Sequence, residues 1–272
     1  MEELDEYPVC MVCRVLNIPR SSYYDRKENG PRRKEYEESL VEAVRATFIE
    51  HHGSFGRRMM KVMLEQKNIS ISERKISTIM KQLGLCSKYG RKRCKNVYTS
   101  DNTKEYIQKN LFAKLSDEDR KNKEIWSMDF TEQKVEGKKI FTCGIISVNK
   151  KVLVGYSQSN RCTAALAVEA VTQAVKQHGV PDMIMTDRGS QFTSKSFFDT
   201  MQRLKITHSM SRPGRPGDNC YIETFWKTMK VEIGKLDLLN DLTYRMVVGY
   251  YIHYYNNLRP HSSLNYRTPL AA

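Results

Sequence analysis

Three carboxylates stand out for the residues around them. Asp129 lies in WSMDFTE between Met128 and Phe130, Asp187 follows the apolar run MIMT in TDRGSQF, and Glu223 follows the proline- and glycine-rich RPGRPGD in DNCYIETFWKTMK. An ionised acid inside a strand is costly unless something pairs with it. An acid just past the carboxyl end of a buried strand sits where open α/β sheets hold ligands. Acids reached from two strands and a helix can converge on one point, and converging oxygens in a basic protein demand a hard cation. Each acid also has an ordinary reading: a turn residue for Asp187, an exposed helix charge for Glu223, an edge-strand charge for Asp129. Their spacing argues against treating them separately. Between Asp187 and Glu223 lie 35 residues, Asp218 and Asn219 precede the glutamate by about a turn, and Lys230 follows it by about two.

Helical geometry sharpens the placement of Glu223. At about 100° per residue, Glu223, Lys227 and Lys230 fall within about 60° of one another, whereas Ile222, Phe225, Met229 and Ile233 occupy a separate sector. The apolar sector is expected to dock on a sheet, turning the acid toward the cation and setting two lysines along the track of a phosphate backbone. That sheet is legible upstream. IWSMDFTEQKV, KKIFTCGIISV and KVLVGYSQS are three β-rich runs joined by short turns, which predicts an antiparallel meander. The helix TAALAVEAVTQAVKQHG, the strand DMIMT, the helix SKSFFDTMQRLK and the strand THSMS follow, giving an α/β fold with a mixed five-stranded sheet covered by helices. The stretch DLTYRMVVGYYIHYYNNLRPHSSL predicts a long C-terminal helix with an aromatic face against the core, and Arg259 and His261 are candidate DNA contacts beyond it.

The N-terminal part is helical. In YEESLVEAVRATFIEH, Leu40, Val44 and Phe48 form an amphipathic stripe; RRMMKVMLEQK is a second helix, NISIS breaks it, and ERKISTIMKQL runs from a Ser72 N-cap to Gly84. Helix, short turn, helix is the outline of a helix-turn-helix. In the last helix Ile76, Ile79, Met80 and Leu83 make the buried side, and Arg74, Thr78 and Lys81 share the other, which is what a major-groove reader presents and equally what a solvated face looks like. The acid-free run SKYGRKRCK, with Arg91, Lys92 and Arg93, favours the first reading as a phosphate-contacting linker.

Composition agrees. The 272 residues carry a net charge of +14, split evenly as +7 on either side of residue 122, which suits a polyanion gripped by more than one domain. The start, MEELDEYPVC, has neither the basic nor the apolar region of a leader, and no apolar run reaches the roughly 18 residues of a membrane span. No membrane partner and a cytoplasmic protein are therefore expected. Seven scattered cysteines make no disulfide framework, and Cys10 with Cys13 lacks the second ligand pair of a zinc finger.

On these motifs the chain resembles the retroviral-integrase-like DDE recombinases, and among them the second-reading-frame (OrfB) transposases of the IS-three family of bacterial insertion sequences. The likeness runs from YPVCMVCRVLNIPRSSYYDRK and HGSFGRRMMKVMLEQKNISISERKISTIMKQLGL through WSMDFTE, TDRGSQFTS and PGDNCYIETFWKTMK to YYNNLRPHSSLNYRTP. It implies a helical DNA-binding region at 1–96 (helix-turn-helix about 36–86, basic linker 87–96), a linker at 97–122, an RNase H-like integrase core at 123–235 and a C-terminal helix and tail at 236–272. Asp129, Asp187 and Glu223 would be the catalytic residues and the ligands of two Mg²⁺ ions, with Mn²⁺ as a substitute. The implied reaction cuts transposon ends and joins the 3′-hydroxyl to a second DNA. Lys230 is expected on terminal DNA, with Lys227, Asn219, Arg212, Arg215, Arg57 and Arg58 as further DNA contacts. Gly214 and Gly217 would let Arg212 and Arg215 fold over bound DNA. Where many relatives have an aromatic residue, Gly56 stands before Arg57 and Arg58. Implied partners are double-stranded terminal repeats and target DNA, an upstream-frame (OrfA) protein or fusion, and further copies of the chain on DNA. A catalytically silent DNA-binding remnant is the alternative.

Overall fold

The computed structural model describes residues 7–90, 107–212, 216–234 and 240–272, and the chain divides into two compact units, residues 1–90 and 91–272. In the second unit, alternation along the strands decides which helix layer each side chain meets. A short helix α5 (Asp117–Asn122) leads into β1 (Ile125–Val135), β2 (Lys138–Ser147) and β3 (Leu153–Ser159). Helix α6 (Ala164–His178), β4 (Met183–Thr186), α7 (Lys195–Arg203), β5 (Thr207–Met210), α8 (Cys220–Ile233) and α9 (Asp241–Asn257) follow. The sheet order is β3-β2-β1-β4-β5, with β1, β2 and β3 antiparallel and β4 and β5 parallel to β1. This is the mixed five-stranded sheet the sequence predicts.

One sheet face sends Trp126, Met128, Cys143 and Ile145 against α6 and α7. The other sends Val135, Ile140, Ile146 and Leu153 against Ile222, Phe225, Trp226 and Met229 of α8 and Tyr244, Val248, Tyr251 and Tyr255 of α9. The aromatic face expected of the C-terminal helix is therefore buried. Each outer strand is met by another segment at one end. Leu153 of β3 donates its N–H to Asn256 Oδ1 (2.9 Å) and accepts from Asn256 Nδ2 (3.0 Å), so a side-chain amide pairs with the strand as a neighbouring strand would. On the far side, Met210 of β5 donates to the Lys109 carbonyl, and Ser209 Oγ accepts from the Leu111 and Phe112 amides.

The first unit contains α1 (Val9–Val15), α2 (Arg20–Glu50), α3 (Arg57–Gln66) and α4 (Glu73–Gln82). Leu40, Val44 and Phe48 pack with Met60, Leu64, Ile76, Ile79 and Met80. Ser72 caps α4 by accepting from the Lys75 amide (3.2 Å), and Gly84 follows in the left-handed conformation that glycine adopts most readily (φ +65°). One boundary differs from expectation: α2 begins at Arg20, although the stripe defines it only from residue 36, and it continues through Gly30 and Pro31. Proline removes one rung of helical bonding. Across that break Arg33 reaches back with both terminal nitrogens to Asp25 (2.8 and 3.2 Å), which also accepts from Asn29. Cys13 is buried with Val12 and Tyr23 and Cys10 is exposed, so the CxxC is a packing feature of α1.

His208 of β5 is buried beside Phe197, with Nε2 2.9 Å from Thr186 Oγ1, and burial lowers its pKa to about 4. His261 is lowered to about 4 as well, first by burial and then by Arg259. A neutral histidine in the folded state and a protonatable one in the unfolded state means stability is full above about 6.5 and is lost as pH falls toward 4, at up to about 1.4 kcal/mol per pH unit for each group. Relative to His208→Asn, the thermal midpoint of the parent protein should decline as pH falls from 6.5 to 4, because the opposite contribution of the raised Asp129 is common to both proteins. Parallel pH profiles for the two proteins would show that His208 does not titrate in this window.

Candidate active site

Three separate elements carry the acids to one region. Asp129 is half-buried near the middle of β1 and lies opposite Gly144 of β2, on the face covered by α8. The parallel register pairs Trp126 with Ile184 and Ser127 with Met185; continued by two residues, it sets Asp187 beside Asp129. Asp187 accepts from the Gly189 amide (2.8 Å), which shapes the turn after β4. Glu223 occupies the first turn of α8, where the helix dipole favours an anion.

The electrostatics record their proximity. Burial, and next to it the Asp187 carboxylate, push Asp129 up to about 8, with Glu223 adding to the rise and the Phe130 amide and Lys230 opposing it. Glu223 is raised by burial and by Asp187. Lys230 is lowered by burial and drawn upward by Asp129 and Glu132, so its ammonium lies near Asp129. Among the described residues no three His, Cys, Asp or Glu side chains close into a ready metal cage. The three carboxylates form an open rim of like charge.

Helix α8 is set over that rim by close packing and by one amide. A Cβ on Gly144 would lie 2.6 Å from Trp226 Cζ2 and 2.7 Å from Cη2, so only glycine lets the indole, one turn beyond Glu223, rest on β2 beside Asp129. Asn219, the residue before α8, is buried: Oδ1 accepts from Ser127 Oγ (2.6 Å) and Nδ2 donates to the Met128 carbonyl (3.1 Å). Both ends of the amide of Asn219, a candidate DNA contact from the sequence, are engaged in tying α8 to β1. Arg212 forks Asp218 (2.9 and 3.0 Å) and Asp218 also accepts from Asn110, which together hold its carboxyl down to about 2. Lys227 is exposed on α8. Gly214 and Arg215 lie outside the described residues, and Gly217 falls in the short turn Pro216–Asn219.

In the helical unit, Arg57, Arg74 and Lys81 line one shallow cleft with Glu73, Ser77 and Thr78, and Arg58 is exposed at the start of α3. Arg57 Nε lies 3.4 Å from a Glu73 carboxyl oxygen, which joins the first residues of α3 and α4. Arg91, Lys92 and Arg93 lie outside the described residues. Gly144, Trp226 and the structural use of Asn219 were not found from sequence; the strand motif WSMDFTE gives no sign of which distant residue packs on its acid.

Comparison with known proteins fits this architecture. Residues 119–216 and 204–269 match two integrase core domain families, and residues 35–93 match an HTH-like domain. The transposase of insertion element IS904 from Lactococcus lactis is 30% identical, covering 85% of this chain and 92% of that protein. Transposase InsF of insertion sequence IS3A from Escherichia coli is 25% identical, covering 94% and 91%. Among solved structures, the catalytic core of HTLV-2 integrase in complex with magnesium is 20% identical, covers 55% of this chain and 95% of that one, and has a TM-score of 0.44. Fold and matches together define an integrase-type polynucleotidyl transferase with an RNase H-like core behind a helix-turn-helix-like domain. The chain belongs to the insertion-sequence transposases of the IS-three family and acts in DNA transposition and integration. None of its described helices is long and apolar enough to cross a membrane.

Gly144→Ala should force the indole and α8 away from β2, at a stability cost of about 1–3 kcal/mol, and should lower DNA strand transfer about tenfold or more because Glu223 moves with its helix. Adding Trp226→Phe should recover part of the loss. Full activity in Gly144→Ala would mean that this approach does not set the position of α8.

Proposed function

We propose that Asp129, Asp187 and Glu223 are the catalytic carboxylates of this transposase and the ligands of Mg²⁺. The observation that carries this reading is the open rim itself: three carboxylates from β1, the turn after β4 and α8, with Asp187 raising both Asp129 and Glu223, Glu223 raising Asp129, and Lys230 near Asp129. The donor set fits the ion. All three are hard oxygen ligands, and an excess of like charge around a half-buried Asp129 is what a divalent cation balances. Two such ions, with Mn²⁺ as a substitute, would polarise the phosphodiester and activate a water or a DNA 3′-hydroxyl.

The chain's own groups do the rest. Asp129 and Asp187 present their carboxylates from adjacent strands of one rigid sheet, and Glu223 completes the set from a helix that can carry DNA-facing residues along the same sector. Lys230 neutralises a phosphate of the terminal DNA close to the acids, and Lys227 extends the track along α8. Arg74 and Lys81, with Arg57 and Arg58, read or grip the terminal repeat through the helix-turn-helix, and Arg91, Lys92 and Arg93 continue onto the adjacent backbone. Arg212 and Arg215 would add contacts near the site. The functional division is a DNA-reading part to residue 96, a linker to 122, the core to 235 and a C-terminal support thereafter. Double-stranded ends and target DNA are the substrates, and an upstream-frame OrfA protein and further copies of the chain the partners, on the nucleoid.

Glu223→Gln should abolish strand transfer from labelled transposon-end DNA in Mg²⁺ while leaving DNA binding intact, and a chelator should do the same to the parent protein. Activity retained in the variant would remove Glu223 from the catalytic set; binding without products from either protein would favour the silent remnant. Replacing Arg74 and Lys81 by alanine should weaken binding and reduce the slope of log affinity against log salt by about one for each phosphate that is no longer neutralised. An unchanged slope would place those residues away from phosphates.

A further inference from the structure

The segment YYNNLRPHSSL has no part in the reaction as proposed, and Glu232 is a buried acid that the reaction does not use. They meet. Glu232, in the last turn of α8, is 2% exposed. Its Oε1 accepts from Arg259 Nε (2.9 Å) and lies 2.8 Å from Nη2 as an ion pair, and its Oε2 accepts from Arg259 Nε (3.2 Å) and Tyr251 Oη (2.9 Å). Arg259 is itself held. Its amide and that of Leu258 both donate to the Tyr254 carbonyl at the end of α9, and its guanidinium lies over Tyr255 and beside His261. His261 packs edge-on against Tyr255 and closes the tail into a loop through its amide to the Arg267 carbonyl and its own carbonyl to the Tyr266 amide. Two residues before Leu258, Asn256 grips Leu153 of the sheet.

The order of these links matters. Asn219 fastens the start of α8 to β1, and Glu232 fastens its end, through Arg259 and Tyr251, to a segment that Asn256 fastens to β3. Glu223 and Lys230 lie between the two fastenings. Glu232 is nine residues beyond Glu223, half a turn away around the helix at about 100° per residue, so a grip on Glu232 resists the rotation that would swing Glu223 off the rim. A carboxylate met by a planar guanidinium and, at its other oxygen, by the Tyr251 hydroxyl is fixed in rotation as well as distance, which a point charge alone does not do.

We infer that Arg259 is a positioning residue: through Glu232 it holds the rotation of α8 and thereby the placement of Glu223 against Asp129 and Asp187. This rests on Glu223 being a metal ligand. It also gives Arg259, a candidate DNA contact from the sequence, a role inside the protein.

The test uses the full chain bound to transposon-end DNA. Mn²⁺ affinity is read from the electron paramagnetic resonance of the free ion, and strand transfer is followed across a Mg²⁺ titration. Variants are Arg259→Gln, Arg259→Lys and the milder Tyr251→Phe, with Glu223→Gln alongside. Arg259→Gln should weaken Mn²⁺ binding and raise the half-saturating Mg²⁺ about tenfold, the effect expected when a group that orients a metal ligand is removed. Arg259→Lys should recover only part, Tyr251→Phe should shift both readings in the same direction by a smaller factor, and end-DNA affinity should stay within about twofold. Wild-type metal affinity and Mg²⁺ midpoint in soluble Arg259→Lys and Tyr251→Phe, with or without lower melting temperatures, would overturn the inference even if Arg259→Gln fails to fold. So would a loss confined to DNA affinity. If Glu223→Gln keeps normal Mn²⁺ binding and strand transfer, the metal-ligand reading fails first; if it loses both while the Arg259 variants do not, only the positioning role fails.

Discussion

Three carboxylates that repel one another must be kept together by something other than themselves, and the second unit of this protein is organised around that constraint. Burial and the neighbouring Asp187 raise Asp129 to about 8, a sign that the fold holds the acid where its charged form is disfavoured. The opposing work is done by apolar packing on both faces of a five-stranded sheet. Trp126 and Met128 anchor β1 against α6 and α7, and the next residue, Asp129, points to the other side. Period-two alternation therefore places a costly charge in a strand whose neighbours are among the most buried residues of the chain.

The third acid poses a different problem, because a helix can rotate and slide where a strand in register cannot. Close packing at Gly144 sets how near α8 comes to the sheet. The Asn219 amide sets where it starts. Glu232, buried and met by Arg259 and Tyr251, sets its far end, and it does so with a charge pair that loses little of its strength to solvent. Buried pairs of this kind add little net stability, yet leaving one partner alone is strongly destabilising, so they discriminate one arrangement from its neighbours.

What could be read in the sequence follows from which of these constraints are local. Strand alternation, helix stripes, the Ser72 cap and the left-handed Gly84 depend on residues a few positions apart, and the element order and mixed sheet were legible from them. The motif surroundings of Asp129, Asp187 and Glu223 were legible too. The extension of α2 back to Arg20 was not, since Gly30 and Pro31 oppose it locally and Asp25 with Arg33 bridges the break. The internal partners of Asn219 and Arg259 were not legible for one reason: a polar side chain near a nucleic-acid site looks like a contact until its buried partners are known. Ser127, Met128 and Glu232 supply those partners from distant parts of the chain, and periodicity carries no trace of such pairings.

The engagement of each outer strand at one end has a consequence for how this protein behaves in quantity. A sheet edge with unsatisfied amides and carbonyls is a template for a second chain, and strand-to-strand growth is a common route to insoluble aggregates. Here the amide of Asn256 occupies Leu153 on one border, while residues 109–112 engage Ser209 and Met210 on the other. A second copy therefore cannot start a backbone ladder at Leu153 or at the Met210 amide, and association at these two points is steered toward side-chain surfaces, whose chemistry can be specific, and away from backbone pairing, which is not.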